Sequence, residues 1–299
     1  VIKSEIEILK PHFLVIDSIQ TTISEEVDSI PGSVSQIREV THDVMNYTKA
    51  KGITSFLIGH ITKEGSIAGP KILEHMVDTV IYFEGDELGQ YRFIRSIKNR
   101  FGNSNEVGIF EMSKSGLKEV ENPSQLFVEQ HGQRNFGISR TCIMEGSRAL
   151  MVEVQALVIE NKQGCGKRAT QGLEGNRLSM IIAIIEKYFS VSLGFSDVYV
   201  NIAGGLRATS RESDLAIMAS ILSSIYKKSL PIETVFLGEV GLTGEIRASA
   251  QIEKKLKELE LLGYKEVVSS KKTRDKHSSK TSLALKGFSQ AQELLGFFS

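Results

Sequence analysis

Short apolar runs alternate with stretches of helical periodicity along the first third of the chain. The run Pro11–Ser18 (PHFLVIDS) predicts a buried strand that ends at the carboxylate of Asp17, and Ile53–Gly59 (ITSFLIG) predicts a second buried strand. Between them lies a predicted helix that ends at Gly52. Its apolar positions are Val34, Ile37, Val40, Val44 and Tyr47. This strand–helix–strand unit predicts a parallel pair joined by a right-handed crossover.

The pattern continues with a short predicted helix at Ile72–Met76. Predicted strands follow at Thr79–Phe83, Arg92–Ile97 and Val107–Met112. Between Glu121 and Gly137 the periodicity lapses into a stretch with proline, asparagine and glycine. We therefore predict a domain boundary there, with residues 1–121 in one domain and residues 122–299 in another.

The second half predicts an α+β domain of its own. Its strands are expected at Ile138–Met144, Leu150–Ile159, Val198–Ile202 and Val235–Leu237, and its amphipathic helices at Leu178–Phe189, Ser213–Ile225 and Ile252–Leu262. The charged stretch Lys271–Lys280 predicts a solvated loop, with a nucleic-acid patch as the alternative.

Composition adds modest limits. A chain of 299 residues predicts about two domains, because a domain typically has roughly 100–200 residues. The 36 basic and 36 acidic residues balance, so an anionic partner has to be met by a local patch. Cys142 and Cys165 lack a CxxC partner, which argues against zinc in this chain. No apolar segment approaches the ~20 residues of a membrane span, so we expect a cytoplasmic protein without membrane contact.

Asp17 is the first candidate for chemistry. An apolar strand that ends in a carboxylate is typical of the Walker B element, which holds Mg²⁺ in nucleotide-hydrolysing proteins. Such proteins also need a glycine-rich phosphate loop, and too few residues precede Asp17 to contain one. Because the chain also begins with Val1, we expect it to be the C-terminal part of a longer nucleotide-driven protein. His60 follows the second strand, so His60 and Asp17 are predicted on the same rim of the sheet.

Several segments resemble the bacterial RadA (Sms) family of recombination and repair ATPases. They are VIDSIQT (Val15–Thr21), PGSVSQIRE (Pro31–Glu39), GHITKEGSIAGPKILEHMVD (Gly59–Asp78), KNRFG (Lys98–Gly102), EGSRALMVEVQALV (Glu145–Val158), NRLSM (Asn176–Met180), VNIAGGL (Val200–Leu206) and GEVGLTGEIR (Gly238–Arg247). The resemblance covers essentially the whole chain. It implies an α/β protein: the C-terminal portion of a RecA-like parallel-sheet ATPase core, then an α+β Lon-protease-like (S5-type) domain.

The resemblance also implies a nucleotide site on the rim. Asp17, with Ser18 beside it, would hold Mg²⁺ of Mg-ATP through a coordinated water, and His60 would sense the γ-phosphate. Read from the residues alone, Asp17 could instead cap a turn, and His60 could be an ordinary rim histidine. The zinc finger and Walker A loop of the family are not part of this sequence, so zinc is expected only in a preceding region. For the same reason we expect negligible ATPase activity from this chain alone.

Two further motifs acquire roles from the resemblance. Lys98 and Arg100 alternate along a strand and are predicted to share a face; the resemblance implies that they act as trans fingers on the nucleotide of a neighbouring subunit. A DNA-binding loop is implied between the second strand and the next helix. Its candidate residues are Lys63, Gly65, Gly69 and Lys71. The alternative is a surface loop with two solvated lysines.

The second domain raises the question of peptidase activity. Lon-type enzymes pair a serine at a helix start with a lysine of lowered pKa. The resemblance puts Ser213 at the serine position and Glu253 at the lysine position, with Lys254 and Lys255 out of register. This pattern predicts a degenerate protease site that cleaves nothing. Ser213, followed by Asp214, also fits a plain helix N-cap.

The resemblance therefore implies ATP-dependent DNA repair and homologous recombination by the intact protein. It would act on single-stranded DNA and branched recombination intermediates as a branch-migration or helicase-type motor, associated with the nucleoid. Expected partners are a RecA-type recombinase and further copies of the same chain, in a hexameric ring. The alternatives are a Lon-type ATP-dependent serine peptidase and a non-catalytic oligomerisation scaffold.

Overall fold

The computed structural model of the chain describes residues 1–60, 69–85, 89–104, 106–120, 135–161 and 164–299. Within it the chain divides into two compact units. The first unit consists of Val1–Tyr82 and Ser96–Asn105, and the second of Phe83–Arg95 and Glu106–Ser299. The two units are described separately.

The first unit is built around a pair of parallel strands. Its elements are α1 (Ile2–Leu9), β1 (Phe13–Asp17), α2 (Val34–Ala50), β2 (Thr54–Ile58) and α3 (Gly69–Met76). Strands β1 and β2 pair in parallel register from Phe13 opposite Thr54 to Asp17 opposite Ile58. The parallel pairing predicted from the sequence is confirmed. The Ser33 side chain caps α2 by accepting a hydrogen bond from the main-chain N–H of Gln36.

One face of this strand pair is buried and the other is exposed. The buried face and α2 form a small core that consists of Ile16, Ile19, Ile37, Val40, Val44 and Leu73. On the other face, Phe13 and Phe56 are exposed over half or more of their surface. The sequence predicted buried strands, and in the described residues this holds for one face of the pair but not for the other. A continuous apolar run is typical of a strand covered on both faces, but it does not specify which residues cover it.

Four strands follow α3 in the chain. They are β3 (Thr79–Gly85), β4 (Tyr91–Asn99), β5 (Val107–Ser113) and β6 (Gly116–Glu119). Strand β5 pairs antiparallel with both β4 and β6. Phe93, Val107 and Ile109 belong to the main core of the second unit, although the sequence analysis assigned them to the first domain. The predicted boundary at residues 121 and 122 falls outside the described residues and stays a prediction.

The second unit combines antiparallel and parallel sheets. Its elements are β7 (Ile138–Glu145), β8 (Arg148–Glu160), β9 (Arg168–Gln171), α4 (Gly175–Phe189), β10 (Ser196–Ile202), α5 (Asp214–Tyr226), β11 (Thr234–Phe236), β12 (Glu239–Val240), β13 (Ile246–Arg247), α6 (Ile252–Leu261), β14 (Glu266–Ser270), α7 (Lys271–His277) and β15 (Ala284–Phe288). One sheet has the strand order β7-β8-β10-β9, and a parallel sheet has the order β11-β14-β15. Helix α5 is buried on nearly every side, as its almost continuous apolar sequence requires.

The mixed α/β architecture agrees with the predicted fold class, whereas the Lon-protease-like assignment of the second unit stays a prediction. The predicted solvated loop at Lys271–Lys280 is wrong, because residues Lys271–His277 form α7. Ser270 caps this helix by accepting from the Thr273 N–H at 3.2 Å. Thr273 and His277, four residues apart, lie on one face and are both buried. In the described part of the chain, every helix is too short or too polar to cross a membrane.

Candidate functional site

Asp17 and His60 lie together at the carboxyl ends of the parallel strands. Asp17 is the last residue of β1, and His60 comes two residues after the end of β2. The parallel register brings both to the same edge, with His60 Nε2 3.8 Å from Asp17 Oδ1. Both side chains are largely exposed, at 63% for Asp17 and 76% for His60. The predicted juxtaposition on one rim is confirmed.

Gln20 joins the two strand ends, and sequence reasoning missed it. Its Nε2 donates a hydrogen bond to the main-chain carbonyl of His60 at 3.1 Å. Gly59 lies against the same amide, since a Cβ there would stand 3.7 Å from it. The sequence contains only a weak indication of this role. Gln20 lies in the VIDSIQT segment, but an uncharged side chain does not stand out as a candidate for chemistry. Ser18, the other predicted residue of the rim, is buried at the start of the turn.

The donor set of the rim suits a weakly bound Mg²⁺. Magnesium keeps several water ligands and takes only one or two protein carboxylates. The Asp17 carboxylate is exposed at a strand end, so it has room for such waters. The described residues do not include a glycine-rich loop next to Asp17 that could hold the phosphates of ATP. Asp17 could therefore serve as a single carboxylate ligand of such an ion.

Lys98 contacts the last turn of α3, and Arg100 contacts Asp78 shortly after it. Lys98 Nζ donates to the main-chain carbonyls of Glu74 at 2.7 Å and His75 at 3.3 Å. Arg100 Nη1 donates to Asp78 Oδ1 at 3.2 Å, and the Arg100 N–H donates to the Asp78 carbonyl at 3.1 Å. Carbonyls at a helix end lack intrahelical partners, so a lysine there stabilises α3. Both cations thus have partners within their own unit.

The predicted DNA-binding residues are described only in part. Lys63 and Gly65 lie outside the described residues. Gly69 is the first residue of α3, and Lys71 is exposed in its first turn. A DNA-binding role for these four residues stays a prediction.

Ser213 in the second unit is almost fully buried, with 1% of its surface exposed. It ends a short 3-10 turn, Arg211–Ser213, and its Oγ donates to the carbonyl of Ser210 at 3.3 Å. Ser213 occupies the N-cap position of α5, but its hydroxyl makes no capping hydrogen bond. The next residue, Asp214, is buried and accepts from Arg177 Nε at 2.8 Å and from the Val240 N–H at 3.2 Å. Two of the segments with family resemblance, NRLSM and GEVGLTGEIR, therefore contact the start of α5.

A buried lysine lies beside this turn. The side chain of Lys255 has no exposed surface, contacts the Glu212 carboxylate and donates to Ser249 Oγ at 2.7 Å. We refer to these three residues as the Lys255 cluster. Burial lowers the pKa of Lys255 to about 8, whereas the Glu212 carboxylate in contact with it favours the charged ammonium. The buried Cys142 thiol nearby has its pKa raised to about 12, mainly by burial.

Glu253 does not take part in the Lys255 cluster. Its side chain is 70% exposed, and its Oε1 lies 3.7 Å from Nδ1 of His277. Two residues correspond to about 200° around a helix, so Glu253 and Lys255 point to opposite sides of α6. The degenerate protease site of Ser213 and Glu253 stays a prediction, whereas the interior position on α6 belongs to Lys255. Helical spacing in the sequence indicates the buried position of Lys255, because Lys255 lies on the same face of the helix as Ile252, Leu256 and Leu259.

No family model matches the chain. Curated relatives do match it. The chain is 47% identical to the DNA repair protein RadA of Bacillus subtilis over 267 residues, which are 89% of this chain and 58% of that protein. It is 47% identical over 266 residues to the RadA protein of Streptococcus pneumoniae, covering 89% of this chain and 63% of that protein. It is also 48% identical over 267 residues to the RadA protein of Chlamydia trachomatis, covering 89% of this chain and 59% of that protein. The chain thus spans about three fifths of the length of these relatives.

Proposed function

We propose that the intact protein is an ATP-driven DNA repair protein, because the chain belongs to the family of bacterial DNA repair proteins named RadA. The resemblance seen in the sequence motifs is confirmed by these relatives. Their shared name supports a role in DNA repair. Our proposal adds that the first unit contributes the Mg²⁺-facing part of a nucleotide site.

The placement of Asp17 beside His60 carries this proposal. In open parallel sheets, ligands bind beyond the carboxyl ends of the strands, where these two residues lie. Bound Mg-ATP would supply the phosphoryl group for hydrolysis. Asp17 would hold the Mg²⁺ through a water ligand, with Ser18 beside it. His60 would donate to a phosphate oxygen from the imidazole, while Gln20 holds its main-chain carbonyl.

ATP hydrolysis would drive work on DNA. We propose movement on single-stranded DNA and branched recombination intermediates, in a homo-oligomeric ring of six copies that works beside a RecA-type recombinase. In such a ring, Lys98 and Arg100 would neutralise charge on the nucleotide of the neighbouring subunit. Gly69 and Lys71 support a DNA-facing role for the start of α3, since a glycine allows close approach and a lysine attracts phosphate.

For the second unit we propose a scaffold role without peptidase activity. Ser213 is buried and donates to a main-chain carbonyl. Lys255, the buried lysine of the described residues, is paired with Glu212, which precedes Ser213 in the chain. A serine nucleophile needs both an accessible hydroxyl and a base that is free to take its proton. The described geometry supports neither requirement.

The decisive experiment compares two aspartates in the intact protein. Asp17→Asn removes the carboxylate at the end of β1, so we expect ATP hydrolysis to fall by about 10²-fold or more, since loss of one electrostatic stabiliser commonly costs 10²–10³-fold. Asp43→Asn is the matched control, because Asp43 forms an exposed ion pair with Lys3. Steady-state ATPase rates of both variants provide the test. An Asp17→Asn protein with the wild-type rate would overturn the proposal.

A further inference from the structure

The polar residues of the KNRFG motif contact the end of α3 and the residues that follow it, all within the first unit. Lys98 holds the last carbonyls of α3, and Arg100 holds Asp78 through both its main chain and its side chain. Asn99 completes the set, since its Oδ1 accepts from Thr79 Oγ1 at 3.5 Å and from the Phe101 N–H at 3.2 Å. The end of α3 and the start of β3 therefore determine where this motif lies.

Asp78 is the centre of this arrangement. Its Oδ1 accepts from Arg100 Nη1 at 3.2 Å, and its Oδ2 lies 2.8 Å from Lys49 Nζ in the last turn of α2. The hydrogen bond from Lys49, with smaller contributions from Arg100 and Lys98, lowers the pKa of Asp78. The carboxylate is therefore ionised at neutral pH. It connects the end of α2 to the end of β4.

Among the described residues, the Arg100 guanidinium contacts one carboxylate, that of Asp78. Its contact with Asp78 uses one of the five N–H donors of a guanidinium. Its side chain is 53% exposed, compared with 25% for Asp78. An arginine held in this way keeps a defined direction and can present its remaining donors to an anion, with the planar geometry that suits a phosphate.

We propose that Asp78 is a positioning residue for Arg100, which it aims outward from the end of β4 while Lys98 fixes the strand end to α3. This inference rests on the proposed function, in which Arg100 meets the nucleotide of a neighbouring subunit. Asp78 does not itself contact the nucleotide. It acts by limiting the orientations of the guanidinium, so that the cation is in place before charge develops on the phosphoryl group.

The size of the effect follows from the cost of misplacement. A shift of about 1 Å in a catalytic group can cost 10²-fold in rate. We therefore expect Asp78→Ala to lower kcat for ATP by about 10- to 100-fold in the intact protein, with KM for ATP nearly unchanged. Asp78→Asn keeps an oxygen acceptor for Arg100 and should lose only several-fold.

The test is a double-mutant cycle on steady-state ATPase activity. It compares Asp78→Ala, Arg100→Ala and the double variant, with thermal unfolding as a check on folding. Because Asp78 acts through Arg100, the double variant should be no slower than Arg100→Ala alone. Lys51→Met is the matched control, because Lys51 lies two residues from Lys49 but pairs with Glu7 at 2.6 Å. The kcat of the Lys51→Met variant should stay within about twofold of wild type.

Two results would count against the inference in different ways. If Arg100→Ala keeps the wild-type rate, the proposed role of Arg100 fails, and the positioning role fails with it. If Arg100→Ala is slow but Asp78→Ala is not, or if the two losses multiply, only the positioning role is overturned. Should Asp78→Ala fail to fold, the same cycle with Asp78→Asn decides, and independent losses would again contradict the inference.

Discussion

The ammonium of Lys255 is buried against the carboxylate of Glu212, which lies within the turn that ends at Ser213. Ser249 adds a hydroxyl that donates to Glu212 and accepts from Lys255. The pair therefore joins the first turn of α6 to the entry of α5. A buried ion pair of this kind is costly to break, because removing one partner leaves an uncompensated charge in the interior.

We expect either single substitution in this pair to destabilise the chain. Lys255→Met and Glu212→Gln should each lower the free energy of unfolding by about 3–5 kcal/mol, the usual cost of breaking a buried pair. The double variant should recover much of the loss, since it removes both charges. Denaturant titration measures all three.

Exposed neighbours in the same helix provide the control for this cycle. Glu253→Gln and Lys254→Met change charges on the outer side of α6, so each should shift stability by no more than about 0.5 kcal/mol. Additive losses in the double variant would show that Glu212 and Lys255 contribute independently, contrary to a coupled buried pair.

We predict that the second unit does not cleave proteins. The Ser213 hydroxyl is buried and bonded to a carbonyl, and the exposed Glu253 stands apart from it. Casein and peptide turnover should be at background for both the wild type and Ser213→Ala. Glu253→Lys should stay inactive as well, since that position faces His277 on the outer side of α6. Turnover that disappears specifically in Ser213→Ala would contradict this prediction.

The 299-residue chain by itself is predicted to hydrolyse ATP at a negligible rate. Its sequence lacks the GxxxxGK[ST] loop whose amides and lysine hold the β- and γ-phosphates. Among the described residues, the rim of Asp17 and His60 supplies a carboxylate and an imidazole but no phosphate cradle. A phosphate-release assay on the purified chain tests this. An ordinary rate that Asp17→Ala abolishes would show that the loop is dispensable.

In the intact protein, Arg100→Ala should leave binding of Mg-ATP nearly unchanged and reduce hydrolysis by about 10³-fold, as loss of a transition-state arginine does. Mixing this variant with subunits that have a disabled Walker A loop should restore part of the activity. In a head-to-tail ring, some mixed interfaces combine an intact nucleotide site with an intact arginine. Titrating one variant against the other measures the recovery. If the mixtures show only the average of the two variants' activities, Arg100 acts on the nucleotide of its own subunit, and the trans role is wrong.

Local patterns were enough to predict much of the first unit. Strand β1 and strand β2 were predicted from apolar runs, and their parallel pairing followed from the helix between them. The closeness of Asp17 and His60 followed from one general rule, since parallel strands deliver their carboxyl ends to the same edge. None of these inferences required knowledge of a distant contact.

The sequence by itself determined the order and type of most elements, the family, and the rim of Asp17 and His60. These depend on neighbouring residues and on strand direction. Only the tertiary structure decided that Lys255 rather than Glu253 enters the core, and that Asp78 holds Arg100. The partners in these two contacts are 43 and 22 residues apart in the chain (255 − 212 and 100 − 78). Which charges meet at such separations depends on how helices and strands pack, and spacing along the sequence does not specify that packing.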